Sequence, residues 1–181
     1  PERFAIGLFV SVSSHIPRGA AASRNITGRR WAMYNKILVP LDLSKESEGV
    51  LETLPDLLAP GGSVVLMHVI PPGRTRSAGQ FVMLGSQQEE EDRSRAMVYL
   101  KRMASRLGED SAAATCAVVV SNDVGDCISN FAVTESVDLI VMYTHDRKGL
   151  AKILKGSVSK KVQHRTPIEV RVIRPRELVP A

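Results

Sequence analysis

Residues 137–173, VDLIVMYTHDRKGLAKILKGSVSKKVQHRTPIEVRVI, carry the strongest structural signals in the chain. The apolar run from Val137 to Tyr143, interrupted only by Asp138, predicts a strand buried on both faces of a parallel sheet. After a polar, basic loop, Gly156-Ser157 opens a short helix from Val158 to His164. A loop that leads into a helix N-terminus offers free backbone N–H groups and the positive end of the helix dipole. The segment is therefore a natural anion site.

The rest of the chain repeats the alternation of strand and helix. The last helix ends before Pro167, and apolar residues then alternate with Glu169 and Arg171 from Ile168 to Ile173 as a final strand. Upstream, short apolar runs predict three more strands, at residues 37–41, 64–70 and 115–120. Strands that alternate with helices predict an open, five-stranded, parallel, doubly wound α/β sheet with helices on both faces. Such a sheet binds ligands beyond the carboxyl ends of its strands.

Capping residues and apolar spacing predict the helices between these strands. Ser44 is a good N-cap for a first helix, whose apolar pattern continues to Leu58 although Pro55 should kink or divide it. Ser86 begins a capping box for a long second helix. The buried stripe of that helix is predicted to be Ala96, Met97, Leu100, Met103, Ala104 and Leu107. The connection from Pro71 to Gly85 is interpreted as a long mobile loop of the kind that covers a site.

The organising stretch resembles the C-terminal signature of the universal stress proteins, which is Gly, two residues, Gly, nine residues, Gly-Ser/Thr. Gly156-Ser157 matches the end of that signature, whereas Tyr143 and Asp146 occupy its first two glycine positions. The resemblance extends back to the ILVPLD segment at 37–42 and to the LMHV segment at 66–69. It covers most of the chain from residue 34 to about residue 174, and it implies the same doubly wound fold.

The resemblance also implies a site for ATP or another adenine nucleotide, with or without Mg²⁺, at the carboxyl edge of the sheet. In the family, the residue at Val69 meets adenine, and the carboxylate at Asp42 meets the base or the ribose. Asp42 is equally well explained as a turn residue before a helix. The predicted binding residues lie at strand ends or at the start of the last helix: Pro40, Asp42, Val69, Met142, Gly156, Ser157, Val158 and Ser159.

Two substitutions in the signature predict that nucleotide binding is weak. Tyr143 lacks the backbone freedom that lets a glycine approach a phosphate, and Asp146 adds a negative charge beside the expected phosphates. Like charges about 4 Å apart repel by roughly 4 kcal/mol at an effective dielectric constant near 20. Lys148, Lys152 and Lys155 partly offset this repulsion. The alternative is a protein-interaction or dimerisation module of the same fold that binds no nucleotide.

Composition narrows the functional classes. The net charge of +5 resides largely in residues 1–33, which hold five arginines and one glutamate, so a nucleic-acid face is not indicated. No run of eighteen apolar residues is present, so no membrane span is expected.

Cys116 and Cys127 lack metal spacing and indicate free thiols in a reducing compartment, which we expect to be the cytoplasm. Cys127 follows Asp123, a candidate helix N-cap, and is either an acidified thiol or an inert packed one.

No catalytic or metal-binding constellation is visible in the sequence. His68, His145 and His164 are scattered among different elements without HxH or HExxH spacing, and His68 is expected to pack in its strand. The phosphate loop GxxxxGK[ST] and the GxGxxG fingerprint are absent. The chain is therefore expected to be a binding module and not an enzyme.

Domain boundaries and assembly complete the predictions. Residues 1–33 are expected to form an extension outside the fold, residues 34–176 the domain, and residues 177–181 a tail. The last strand, Ile168–Ile173, is expected at a sheet edge, which favours a homodimer through that strand. Antiparallel pairing about Val170 would place Glu169 of one chain opposite Arg171 of the other, twice.

Overall fold

The computed structural model describes residues 10–11, 33–73, 76–78, 81–83, 85–107, 113–144 and 158–174. Its strands are β1 Val10–Ser11, β2 Tyr34–Pro40, β3 Leu58–Ile70, β4 Arg76–Ala78, β5 Phe81–Met83, β6 Ala113–Val120, β7 Leu139–Tyr143 and β8 Glu169–Ile173. Its α-helices are α1 Lys45–Glu48, α2 Gly85–Arg106, α3 Val124–Thr134 and α4 Val158–Arg165, and a 3₁₀ helix at Gly49–Thr53 follows α1. No helix in the described ranges is both long enough and apolar enough to cross a membrane.

The main sheet has the strand order β1-β6-β3-β2-β7-β8. Strands β6, β3, β2, β7 and β8 pair in parallel, which confirms the predicted five-stranded parallel sheet. The chain runs outward from β2 through β3 to β6 and then returns to the other side of β2 to form β7. The direction of winding therefore reverses between β2 and β7, and this is the point where open α/β sheets form a ligand crevice.

Two apolar cores cover the two faces of the sheet. On one face, Leu54 of the segment after α1 and Leu100 and Met103 of α2 pack on the sheet. On the other face, Ile128 of α3 and Val162 of α4 do the same. Each fully buried side chain of this size stabilises the fold by about 1.5–3 kcal/mol. The predicted α2 stripe is confirmed, because Ala96, Leu100 and Met103 are buried and Met97, Ala104 and Leu107 pack beside them.

The first helix is shorter than its apolar pattern predicts. Ser44 caps α1 as expected and accepts a hydrogen bond from the N–H of Ser47 at 3.2 Å. The α-helix then tightens into the 3₁₀ helix and ends before Pro55, which cannot donate the next helical hydrogen bond. Leu58, predicted to be helical, instead pairs with Tyr34 at the start of β3. Sheet pairing overrides the local helical period here.

Two further local predictions are wrong. The segment from Pro71 to Gly85 was predicted to be a loop, but it contains the antiparallel hairpin of β4 and β5. Gly79 and Gln80 connect these strands and lie outside the described residues. The capping box is displaced, because α2 already includes Gly85 and places Ser86 inside the helix. Ser86 therefore does not stand at the N-cap position of α2.

The N-terminal extension is described at two residues. Val10 and Ser11 pair antiparallel with Cys116 and Thr115 of β6, at the edge of the sheet. A two-residue pairing supplies few hydrogen bonds, and each contributes about 0.5–1.5 kcal/mol net. The independence of the domain from residues 1–32 stays a prediction.

Removal of residues 1–32 should leave a folded domain. The lost pairing is worth about 1 kcal/mol, so the melting temperature should fall by no more than about 5 °C. Circular dichroism melting of both proteins measures this, and faster amide exchange confined to Thr115 and Cys116 would locate the loss. A drop several times larger would show that the extension completes the domain.

Candidate functional site

Three predicted site residues lie on one face of the sheet at its carboxyl edge. Pro40 of β2 is level with Met67 of β3, and Leu38 is level with Ile140 of β7. Side chains alternate along strands, so Pro40, Val69 and Met142 all point to the face that α3 and α4 cover. Pro40 and Val69 are half-buried, and Met142 is 5% exposed. The structure thus brings these three residues together as an apolar wall beside the switch point.

The backbone N–H and C=O of Val69 are directed toward β2. The N–H of Leu41 donates to the carbonyl of Met67 at 2.8 Å, whereas the N–H of Ser121 donates to the carbonyl of Ile70 at 2.9 Å. Alternate residues of a parallel strand direct their backbone groups to opposite neighbours. The N–H and C=O of Val69 are therefore directed past the end of β2, where they offer one donor and one acceptor.

Asp42 stands at the start of the turn after β2. Its Oδ1 accepts hydrogen bonds from the N–H of Ser44 at 3.1 Å and from the hydroxyl of Ser44 at 2.6 Å. Leu43 between them has φ of 64°, a left-handed conformation that costs a non-glycine residue roughly 1–2 kcal/mol. The turn interpretation of Asp42 is confirmed. Contact of its carboxylate with a ligand stays a prediction.

Only the helical side of the predicted phosphate site belongs to the described residues. Val158 begins α4 and is 37% exposed, and Ser159 beside it is 8% exposed. Gly156 and Ser157 lie outside the described residues, as does Asp146. Across the ranges that the structure covers, no group of three or more His, Cys, Asp or Glu side chains is arranged to hold a metal ion.

Ion pairs that no sequence pattern predicted join α4 to the start of α3. The ammonium of Lys161 binds the carboxylate of Asp123 and lies 3.4 Å from Oδ2 of Asp126. The hydrogen bond between Lys161 and Asp123 lowers the pKa of Asp123 and raises the pKa of Lys161. Gly125 makes room for the stem of Lys161, because a Cβ at this glycine would lie 2.8 Å from Cδ of Lys161. Asp123 also caps α3 as predicted, accepting from the N–H of Asp126 at 3.0 Å.

The packed interpretation of Cys127 is the one that the structure supports. Its side chain is 3% exposed in α3, and Cys116 in β6 is fully buried. Burial raises the pKa of the Cys127 thiol above its ordinary value, and the nearby Asp123 carboxylate acts in the same direction. Burial likewise raises the pKa of Cys116. Both groups are therefore neutral thiols near neutral pH.

The sheet order and the position of the site define an open, doubly wound α/β domain. A sequence model of the universal stress protein family matches residues 33–174. The chain belongs to the universal stress protein family.

Individual relatives agree with this assignment. Universal stress protein Sll1388 of Synechocystis sp. (strain ATCC 27184 / PCC 6803 / Kazusa) is 27% identical over 151 residues, covering 77% of this chain and 97% of the relative. The solved structure of the hypothetical protein MJ0577 is similar with a TM-score of 0.64 and 26% identity, covering 79% of this chain and 97% of that one. The structure of a universal stress protein in complex with cAMP has a TM-score of 0.58 at 16% identity, covering 80% and 99% of the two chains.

Both cysteines should resist thiol reagents in the folded protein. Their raised pKa values leave less thiolate at pH 7–8, and burial restricts access, so reaction should be about tenfold or more slower than in denaturant. Rates with an aromatic disulfide reagent, measured for the parent and for Cys116→Ala, isolate Cys127. The acidified-thiol interpretation would be restored if Cys127 reacted rapidly in the folded protein and if the pH midpoint of its reaction rate lay below that of free cysteine.

Proposed function

We propose that this chain is a regulatory binding module that takes ATP or a related adenine nucleotide, weakly, at the carboxyl edge of its sheet. The observation that carries the proposal is the convergence of Pro40, Val69 and Met142 on one face, beside the outward-directed backbone of Val69. The complex of a related fold with cAMP supports the choice of an adenine nucleotide.

The chemistry of the base suits this wall. Adenine presents an N1 acceptor beside an N6 amino donor, which complements the N–H and C=O of Val69. Hypoxanthine and guanine carry a protonated N1 and an O6 acceptor, so the same backbone pair would meet them with the wrong polarity. In the orientation that suits adenine, an apolar wall beside one donor and one acceptor therefore favours adenine over these two bases.

The ribose would lie near Asp42, and the phosphates would lie near the start of α4. The carboxylate of Asp42 stands at the end of β2 and is a suitable acceptor for a ribose hydroxyl. The start of α4 supplies backbone N–H groups and the positive end of the helix dipole to the phosphates. The signature residues Tyr143 and Asp146 replace glycines at this end, which is why weak binding is expected.

Substitution of Asp42 tests the site with a matched pair of variants. Asp42→Asn keeps an oxygen for the turn hydrogen bonds to Ser44 but removes the charge, whereas Asp42→Ala removes both. Both variants should bind ATP about 10- to 150-fold more weakly, the effect of losing a charged hydrogen bond of roughly 1.5–3 kcal/mol. Calorimetric titration gives the affinities, and thermal melting should show that only Asp42→Ala is clearly less stable.

The same titration separates the nucleotide module from the alternative interaction module. Asp146→Gly should bind ATP more tightly than the parent, because the variant removes a negative charge near the phosphates. Absence of ATP binding by both the parent and Asp146→Gly would reject the proposal and leave the interaction module.

We also propose that the chain forms a homodimer through β8. This strand pairs with β7 on one side, and among the described residues it has no strand on the other. Val170 and Val172 are half-buried, so the open edge is apolar enough to pair with a second copy. Within one chain, Glu169 already accepts a hydrogen bond from the hydroxyl of Tyr34 at 2.7 Å and lies 3.8 Å from Arg171.

Charge exchange on β8 tests the dimer and its register. Glu169→Arg should weaken the dimer by about 2- to 30-fold, since each of two opposed pairs contributes roughly 0.2–1 kcal/mol. Adding Arg171→Glu should restore it. Tyr34→Phe is the control, because it removes the hydrogen bond to Glu169 without changing any charge. Equal dissociation constants for all four proteins by analytical ultracentrifugation would exclude this register.

A further inference from the structure

His68 makes an unusual contact at the end of the β2–β3 ladder. Its side chain projects from β3 on the face opposite Val69, and its Nδ1 lies 2.6 Å from the carbonyl oxygen of Leu41. A carbonyl oxygen only accepts hydrogen bonds, so Nδ1 must carry the proton. The histidine was expected merely to pack in its strand, and the structure shows instead that it caps a backbone carbonyl beside the candidate site.

The contact with His68 replaces the regular ladder partner of the Leu41 carbonyl. In a parallel pair, a residue donates to the neighbouring strand and accepts from the residue two places further along that strand. Leu41 donates to Met67, so the regular partner of its carbonyl is the N–H of Val69. Within the described part of the chain, that carbonyl is bonded to the ring of His68 and not to Val69.

We propose that His68 is a positioning residue that keeps the N–H of Val69 available to a ligand. By directing the Leu41 carbonyl to its ring, the imidazole ends the β2–β3 ladder one hydrogen bond early. The backbone donor of Val69 then points past the end of β2, beside the apolar wall, with no ladder partner among the described residues. The inference rests on the proposed nucleotide function, and it assigns the base end of that site a residue that need not touch the ligand.

The same hydrogen bond also fixes the peptide that begins the next turn. The Leu41 carbonyl belongs to the peptide group shared with Asp42, and Leu43 then adopts its left-handed conformation. Rotation of this peptide to continue the ladder would break the hydrogen bond to His68. His68 therefore holds both the donor of Val69 and the direction in which Asp42 leaves the sheet.

Two variants of His68 separate hydrogen bonding from shape. His68→Asn retains an N–H at the position of Nδ1, whereas His68→Leu fills similar space without a donor. His68→Leu should bind adenosine and ATP about 2- to 12-fold more weakly, the effect of one net hydrogen bond, and His68→Asn should remain within about 2-fold of the parent. Affinity for inorganic triphosphate should be the same in all three proteins. An equal loss of triphosphate affinity, or unchanged adenosine affinity in His68→Leu, would overturn the proposal.

Nuclear magnetic resonance of the nucleotide-free protein tests whether His68 holds the Leu41 carbonyl and leaves the Val69 amide unprotected. In the parent, the proton should reside on Nδ1 of His68, and the Val69 amide should exchange with solvent faster than that of Val65 inside the ladder. In His68→Leu the Val69 amide should become protected as the ladder closes. A parent in which Val69 is already protected contradicts the proposal. A parent with these signals but no affinity for adenosine would instead reject the proposed function.

Discussion

The pairing of β2 between β3 and β7 is the constraint on which the rest of the structure depends. Ile37, Leu38 and Val39 are fully buried because sheet lies on both sides and helices lie on both faces. Parallel strands require crossover connections, and each crossover helix returns the chain to the same starting edge. All carboxyl ends therefore meet at the opposite edge, and the winding diverges there between β2 and β7. A crevice at that edge is a consequence of topology before any side chain is considered.

Apolar burial and polar contacts have separate tasks in this domain. The two cores hold the layers together at about 1.5–3 kcal/mol for each large buried side chain, which outweighs the roughly 0.5–1.5 kcal/mol of a typical hydrogen bond. The polar contacts at the carboxyl edge therefore set geometry more than stability. Asp42 shapes the turn after β2, His68 ends a ladder, and Lys161 fastens α4 to α3. Each of the three acts where the regular hydrogen-bond pattern stops.

The departures from the family signature fall at residues 143 and 146, where the family has glycines. Pro40, Val69 and Met142 form the apolar wall expected for a base, whereas Tyr143 and Asp146 replace glycines near the expected phosphates. Tyr143 is half-buried against the core on the other face of the sheet, so its side chain follows the alternation of β7.

The sequence by itself determined the alternation of strands and helices, the parallel sheet, the caps at Ser44 and Asp123 and the position of Pro40, Val69 and Met142 at strand ends. These features follow from local periodicity, from capping chemistry and from the rule that parallel strands need crossovers. The tertiary structure alone decided that Leu58 joins β3, that His68 caps Leu41 and that Lys161 binds Asp123. The last two contacts join residues 27 and 38 positions apart. No local pattern encodes such contacts, because they exist only once the sheet brings its strand ends together.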